Sequence, residues 1–232
     1  MSDGVVFLCS GGGGNLRFVD ACIGHGIAPG LRILAVLTDR DCGASDYARA
    51  KGIPTRSFDF AQPAQQELVD ELQAVGPSVV VTTVHRILAP EVVATFPGRL
   101  INLHYSLLPA FSGSIGTAPV RQALEYGVRF VGTTVHFVDE MVDAGTPIIQ
   151  SATPVSPGDR VEDLMDSVFR CGCIALMHAI DAFRAMPSRK ENTERAFISA
   201  GGRLSFFSPS PVFRAEYENE AFWDEIGLRG QR

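Results

Sequence analysis

Short apolar runs and longer amphipathic ones alternate along most of the chain, the pattern of a mostly parallel sheet joined by crossover helices. Val5–Cys9 reads as a first strand and Arg32–Thr38 as a second. Ser78–Thr83 is nearly all β-branched, as a central strand covered on both faces should be. Leu100–His104 is another short strand. Val128–Val138 alternates in places and reads as a longer one, antiparallel at one side, with Pro147–Pro154 as its partner. A helix is expected from about Asn15, another over Ala44–Lys51, and a long one over Arg160–Ala185. The long one has Val161, Leu164, Met165, Val168, Phe169, Leu176, Ile180 and Phe183 at helical spacing. The expected fold class is α/β and Rossmann-like, a mostly parallel twisted sheet with helices on both faces.

Beyond Pro187 the texture changes. Charged residues run to Arg195, followed by Gly201–Gly202, an aromatic hairpin-like piece and an acidic tail. The expected organisation is one catalytic domain over residues 1–186 and a short C-terminal extension over 187–232, packed on the domain or capping it. No internal repeat and no low-complexity segment interrupts this pattern.

Composition narrows the function classes. The 232 residues are 46% apolar and 20% charged, which are globular proportions, and the net charge is −6. No cluster of Lys and Arg offers phosphates a face, so nucleic acid is not an expected partner. No segment approaches the ~20 apolar residues of a membrane span. Val5–Cys9 is too short, and its flank too little basic, for a secretory signal. The five cysteines are an odd, scattered set, best read as reduced thiols of a cytoplasmic protein. Cys171-x-Cys173 on a helix points two ways with no second ligand pair, so packing is expected there and no metal. A small-molecule enzyme, monomer or homodimer, fits these limits.

Ser10-Gly11-Gly12-Gly13-Gly14-Asn15 joins the first strand to the first helix. Glycines permit the tight turn, and the free N–H groups of a helix N-terminus can hold an anion. A P-loop would continue Gly-Lys-Ser/Thr, but Asn15-Leu16-Arg17 stands there. A nicotinamide fingerprint has some support in Asp39, which follows the second strand as a ribose-binding carboxylate would. It fails at Leu16 and Arg17, where a third glycine is required. Gly12, Gly13, Gly14 and Asn15 are therefore candidates to bind a phosphate or carboxylate of a substrate.

The stretch Ile101-Asn102-Leu103-His104-Tyr105-Ser106-Leu107-Leu108-Pro109 carries the candidate chemistry. Alternation along a strand places Asn102 and His104 on one face near its C-terminal end, where open parallel sheets bind ligands. An amide donor beside an imidazole can stabilise an oxyanion and exchange a proton, as acyl transfer demands. Ser106 has no Gly-x-Ser-x-Gly context and is not read as a nucleophile.

Asn102-Leu-His104-Tyr-Ser106-Leu-Leu-Pro109, then Gly132-Thr-Thr-Val-His136-Phe-Val, then Asp143-Ala-Gly145-Thr-Pro-Ile-Ile-Gln150, resembles the folate-dependent formyltransferases. The likeness runs from the glycine loop to about Ala185. It implies 10-formyltetrahydrofolate as co-substrate and a small-molecule amine as acceptor, glycinamide ribonucleotide first and an amino sugar or hydroxylamine such as hydroxyornithine next, with hydrolysis of the formyl folate as the alternative after those. It further implies that Asn102 and His104 face the formyl oxygen, while Asp143 supports a protonated His104 and accepts the amine proton. Folate would pass Arg86, Ile87 and Leu88 in the loop from Val84, and would be wrapped by the segment carrying Val138, Asp139, Met141 and Val142. His136 is expected to be a core or supporting histidine.

Three departures fall on the acceptor side. Gly13-Gly14-Asn15 replaces the usual Gly-Ser-Asn, Gly172 stands where the family has a ribose-binding glutamate, and Gln62–Glu67 lacks a basic residue. The loop Phe111–Pro119 is also longer than in compact members.

Overall fold

In a computed structural model of the chain, the described residues are 3–61, 65–184 and 196–227. Gln62 of the Gln62–Glu67 segment and the charged run to Arg195 lie outside them. The chain divides into two compact units. The first runs to Asn102 and takes back Phe137–Glu140 with Phe183 and Arg184. The second holds 103–136, 141–182 and the C-terminal segment.

The first unit begins β1 (Gly4–Cys9), α1 (Gly14–Gly24), β2 (Arg32–Thr38), α2 (Gly43–Lys51) and β3 (Thr55–Ser57). It continues α3 (Gln66–Val75), β4 (Val79–Thr83) and α4 (Pro90–Thr95), and ends in β5 (Leu100–His104), whose last two residues belong to the second unit. The strands are all parallel in the order β3-β2-β1-β4-β5. That order reverses between β1 and β4. Right-handed crossovers then place α1 and α2 on one face of the sheet, α3 and α4 on the other. Val5, Val6, Phe7 and Leu8 have no exposure at all, so β1 is covered on both sides. Val6, Leu8, Leu37, Val80 and Leu100 pack with Leu68, Val69 and Leu72 of α3 and Val92 of α4.

The second unit contains α5 (Ala118–Tyr126), β6 (Phe130–Phe137), β7 (Pro147–Pro154) and α6 (Val161–Ala182). After these come β8 (Phe197–Ala200), β9 (Arg203–Ser208), a 3₁₀ turn (Ala215–Glu218) and α7 (Glu220–Ile226). Its strands are antiparallel in the order β6-β7-β9-β8. The C-terminal hairpin thus extends the sheet beside β7. Arg203 holds Asp159 through both guanidinium nitrogens at 2.8 and 2.6 Å. Arg170, almost buried on α6, holds Glu220 of α7 at 2.7 and 2.9 Å with its guanidinium 5.2 Å over the Trp223 ring.

Helix α5 has no counterpart among the sequence-based expectations, which treated the segment from Phe111 to Pro119 as loop. Pro119 lies in the first turn of α5, where its missing N–H costs nothing. On α6, Cys171 and Cys173 are fully buried, and burial pushes the Cys171 thiol up to about 11. Gly172 between them costs about 1 kcal/mol relative to alanine in a helix interior. Space explains its presence. A Cβ there would lie 3.1 Å from a Leu103 methyl and 3.2 Å from Cε1 of Tyr105.

Candidate functional site

In the first unit, the loops that leave β1 and β4 flank the point where the strand order reverses, the usual ligand crevice of such sheets. The loop after β1 is the glycine loop. Gly13 is in the left-handed region (φ 74°), and a Cβ on it would lie 3.0 Å from Cα of Ala44, so only glycine fits. The Gly11 carbonyl accepts from Ala44 N at 3.0 Å, pressing Gly12 and Gly13 against the start of α2. Gly14 and Asn15 open α1.

Ser10 Oγ accepts from His85 N at 2.7 Å and so couples the glycine loop to the loop after β4. In that second loop Arg86 reaches Asp39 at 3.4 Å, Ile87 is 75% exposed, and Leu88 packs on the apolar cluster beneath α3 and α4. Val84 and Val138 rest on the same cluster, and Val138 N donates to the Leu100 carbonyl at 2.9 Å. Asp139 follows on the exposed turn.

A residue given no role by sequence orders this loop. Gln65, buried and in the left-handed region (φ 48°), donates to the Phe60 and Ile87 carbonyls at 3.1 and 3.0 Å. Its Oε1 accepts from Ala89 N at 3.0 Å. A non-glycine residue at positive φ is costly and persists where its surroundings over-determine it. Sequence carries no sign of this conformation.

Asp39 does not present a carboxylate to a ribose. Arg40 lies 2.5 Å from it and Arg86 3.4 Å. Burial would raise its pKa, but hydrogen bonds with Arg40 and Ser10 outweigh that and hold the carboxyl below its ordinary value.

In the second unit, His104 at the end of β5 is buried, with Nδ1 3.3 Å from Asp143 Oδ2 and Nε2 3.2 Å from the Phe111 carbonyl. Both ring nitrogens therefore face oxygen atoms. Asp143 is itself held in the left-handed region (φ 55°), and its Oδ2 accepts from Gly113 N at 2.7 Å. His136 Nε2 approaches its other oxygen at 3.7 Å. The carboxylate thus sits between two histidines. Met141 and Val142, on the turn leading to Asp143, are 68% and 53% exposed.

Thr134 Oγ1 donates to the Ser106 carbonyl at 2.7 Å and accepts from Leu108 N and Gln150 Nε2, fixing the turn after β5. Ser106 Oγ is spent on the Ala110 carbonyl at 2.5 Å and is no nucleophile. Two residues before His104, Asn102 donates from Nδ2 to the Thr82 carbonyl at 2.5 Å, which fixes the plane of its amide.

The formyl transferase family model matches residues 4–180. The chain belongs to this family.

Phosphoribosylglycinamide formyltransferase of Escherichia coli (strain K12) is 39% identical over 168 residues, covering 69% of this chain and 77% of that protein. The chloroplastic phosphoribosylglycinamide formyltransferase of Arabidopsis thaliana is also 39% identical over 168 residues, but this chain spans only 58% of its length. The crystal structure of glycinamide ribonucleotide transformylase 1 from Symbiobacterium toebii matches with a TM-score of 0.67 and 33% identity. That match covers 88% of this chain and 93% of the other. The fold is thus the mostly parallel, Rossmann-like formyltransferase fold. Among the described residues of this formyltransferase, no helix is long and apolar enough to cross a membrane.

Proposed function

We propose that the protein transfers a formyl group from 10-formyltetrahydrofolate to a small-molecule amine, with glycinamide ribonucleotide as the acceptor, in the cytoplasm. The observation that carries this reading is the His104–Asp143 pair, with the carboxylate clamped by Gly113 N at 2.7 Å. Transfer needs no enzyme nucleophile. The amine nitrogen attacks the formyl carbon and forms a tetrahedral oxyanion. His104 and the Asn102 amide donate to that oxygen, and preorganised donors of this kind are the largest single aid to acyl transfer. Asp143 orients His104 through Nδ1 and takes the proton shed by the amine, through water. The C–N bond to N10 then breaks, and tetrahydrofolate leaves with its nitrogen reprotonated.

Because Nδ1 faces Asp143, Nε2 is the nitrogen that meets the formyl oxygen. In this conformation the Phe111 carbonyl occupies it, so the donor displaces that contact on binding. The loop Val84–Leu88 and the Val138–Val142 segment would hold the folate. Solvent-facing Ile87, Met141 and Val142 would offer it apolar surface. The glycine loop would take the acceptor's phosphate on backbone N–H groups at the start of α1.

The test is purified protein with 10-formyltetrahydrofolate and a panel of glycinamide ribonucleotide, a nucleotide-linked amino sugar, a hydroxylamine and no amine. Deformylation of the folate that depends on an amine, and is fastest with glycinamide ribonucleotide, is expected. Formate release without amine would make the protein a hydrolase, and inertness with every amine would remove the reading.

A further inference from the structure

We propose that Asp39 is a positioning residue that ties the loop Val84–Leu88 to the glycine loop, so that filling either loop tightens the other. The inference rests on the formyl-transfer reading above, in which the first loop takes the folate and the second the acceptor's phosphate. It adds how the two are coupled. Strand order puts the parts in reach of one another. β1 lies between β2 and β4, so the glycine loop leaves the sheet between Asp39, which follows β2, and Val84, which follows β4.

Ser10, where β1 gives way to the glycine loop, touches both neighbours. Its Oγ donates to the Asp39 carboxylate and accepts from His85 N at 2.7 Å. A hydroxyl has one proton, and with that proton committed to Asp39 a lone pair is left for His85 N. Arg86, the next residue, reaches the same carboxylate with Nε at 3.4 Å. Asp39 thus holds two consecutive residues of the folate-side loop, His85 through Ser10 and Arg86 directly. Its side chain is only 3% exposed, and its remaining side-chain partner, Arg40, is its own neighbour in sequence.

The chain beyond Asp39 grips the glycine loop a second time. Ala44 N donates to the Gly11 carbonyl at 3.0 Å, and a Cβ on Gly43 would lie 3.0 Å from Cα of Gly12. The loop is therefore held from one side by residues 39–44 and from the other by His85. Between these holds run four successive glycines, the residue with the most backbone freedom to lose on ordering. An anion on the N–H groups at the start of α1 restricts that freedom, and Ser10 passes the restriction to His85. The second ligand then meets a loop already ordered and binds with a smaller entropy loss, which is positive coupling.

The experiment is isothermal titration calorimetry on the full chain with tetrahydrofolate and glycinamide ribonucleotide, a pair that holds no formyl group and cannot react. Each ligand is titrated alone and with the other saturating. In the wild type each should tighten the other about tenfold, and by the same factor, because coupling between two sites is reciprocal. Asp39→Ala and Ser10→Ala should each bring that factor to within about twofold of one, and the double variant should lose nothing further. Asp39→Asn still accepts from Ser10 but lacks the charge that attracts Arg86, and should keep part of the coupling. With both substrates saturating, kcat should stay within about threefold of wild type, because the tie acts on binding and not on the groups proposed for proton transfer. Should Asp39→Ala not fold, Ser10→Ala and Asp39→Asn carry the same test. Independent binding of the two ligands to the wild type would overturn the inference while leaving formyl transfer intact. So would full coupling in a folded Asp39→Ala or Ser10→Ala variant, whatever its Tm, since the contacts would then serve stability alone. If the wild type binds neither ligand, the functional reading falls and the inference falls with it.

Discussion

His104, Asp143 and Gly113 form the smallest unit on which the chemistry rests. The carboxylate accepts from Gly113 N at 2.7 Å while lying 3.3 Å from His104 Nδ1, so its position does not depend on the histidine alone. Replacing His104 with Ala, or Asp143 with Asn, should lower kcat by roughly 10²–10⁴-fold, the span of general acid–base and oxyanion groups. Donor binding should change little, and steady-state kinetics on folded variants decides it. Near-normal turnover in either would take that residue out of the mechanism. Gly172 makes a second residue-level prediction. Gly172→Glu alone should not restore a ribose-binding carboxylate, because Leu103 and Tyr105 already fill the space above it. Overpacking of this kind costs about 1–3 kcal/mol, to be read from urea unfolding. An equally stable variant with improved acceptor KM would contradict the close packing.

Among the elements, the C-terminal segment is held by charge as well as by strand pairing: β9 pairs with β7, and Arg170 of α6 holds Glu220 of α7. Arg170 is nearly buried, but its partner Glu220 is more than half exposed. Arg170→Ala therefore lets Glu220 return to water, and the loss should be about 1–2 kcal/mol, below the 3–5 of a fully buried pair. For a chain of this size that lowers Tm by about 2–8 °C. An unchanged Tm in differential scanning calorimetry would show that the contact adds nothing. The Asp159–Arg203 pair predicts a pH dependence. Hydrogen bonds from Arg203 and from Ser156 N hold the Asp159 carboxyl below its ordinary value. A carboxylate depressed in the folded state contributes stability that is present above the unfolded pKa of about 3.9 and lost as pH falls through the folded value. Asp159→Asn should thus be less stable than wild type at pH 5–7, and the gap should close below about pH 4. A gap that widens with acid would reverse the assignment.

At the scale of the whole molecule, saturating 10-formyltetrahydrofolate should raise Tm by a few degrees, since ligand at ~100 times Kd adds about 2.7 kcal/mol. NADH should not, because Asp39, the carboxylate a nicotinamide ribose would need, is held by Arg40 and Arg86. Stabilisation by NADH alone would reverse the functional reading. Much of this architecture is written locally in the chain. An unbroken apolar run as short as Val5–Cys9, with glycines on both flanks, reads as a strand covered on both faces. The helical spacing from Val161 to Ile180 marks α6 as a helix, although its middle, Arg170 to Met177, is buried all round, and Asn102-x-His104 on a strand must share a face whatever surrounds it. The residues proposed for chemistry were therefore legible with their motifs. Other features depended on groups far apart in sequence. The left-handed Gln65 that orders the Val84–Leu88 loop works through backbone carbonyls and N–H groups, which every residue possesses and no side-chain pattern announces. The same is true of the Phe111 carbonyl on His104 and the Gly113 N–H on Asp143. Side-chain periodicity decides strands, helices and faces along the chain. Only tertiary packing decides which backbone groups meet a buried imidazole or carboxylate, and whether a glycine in a helix is an omission or the seat of a neighbouring ring.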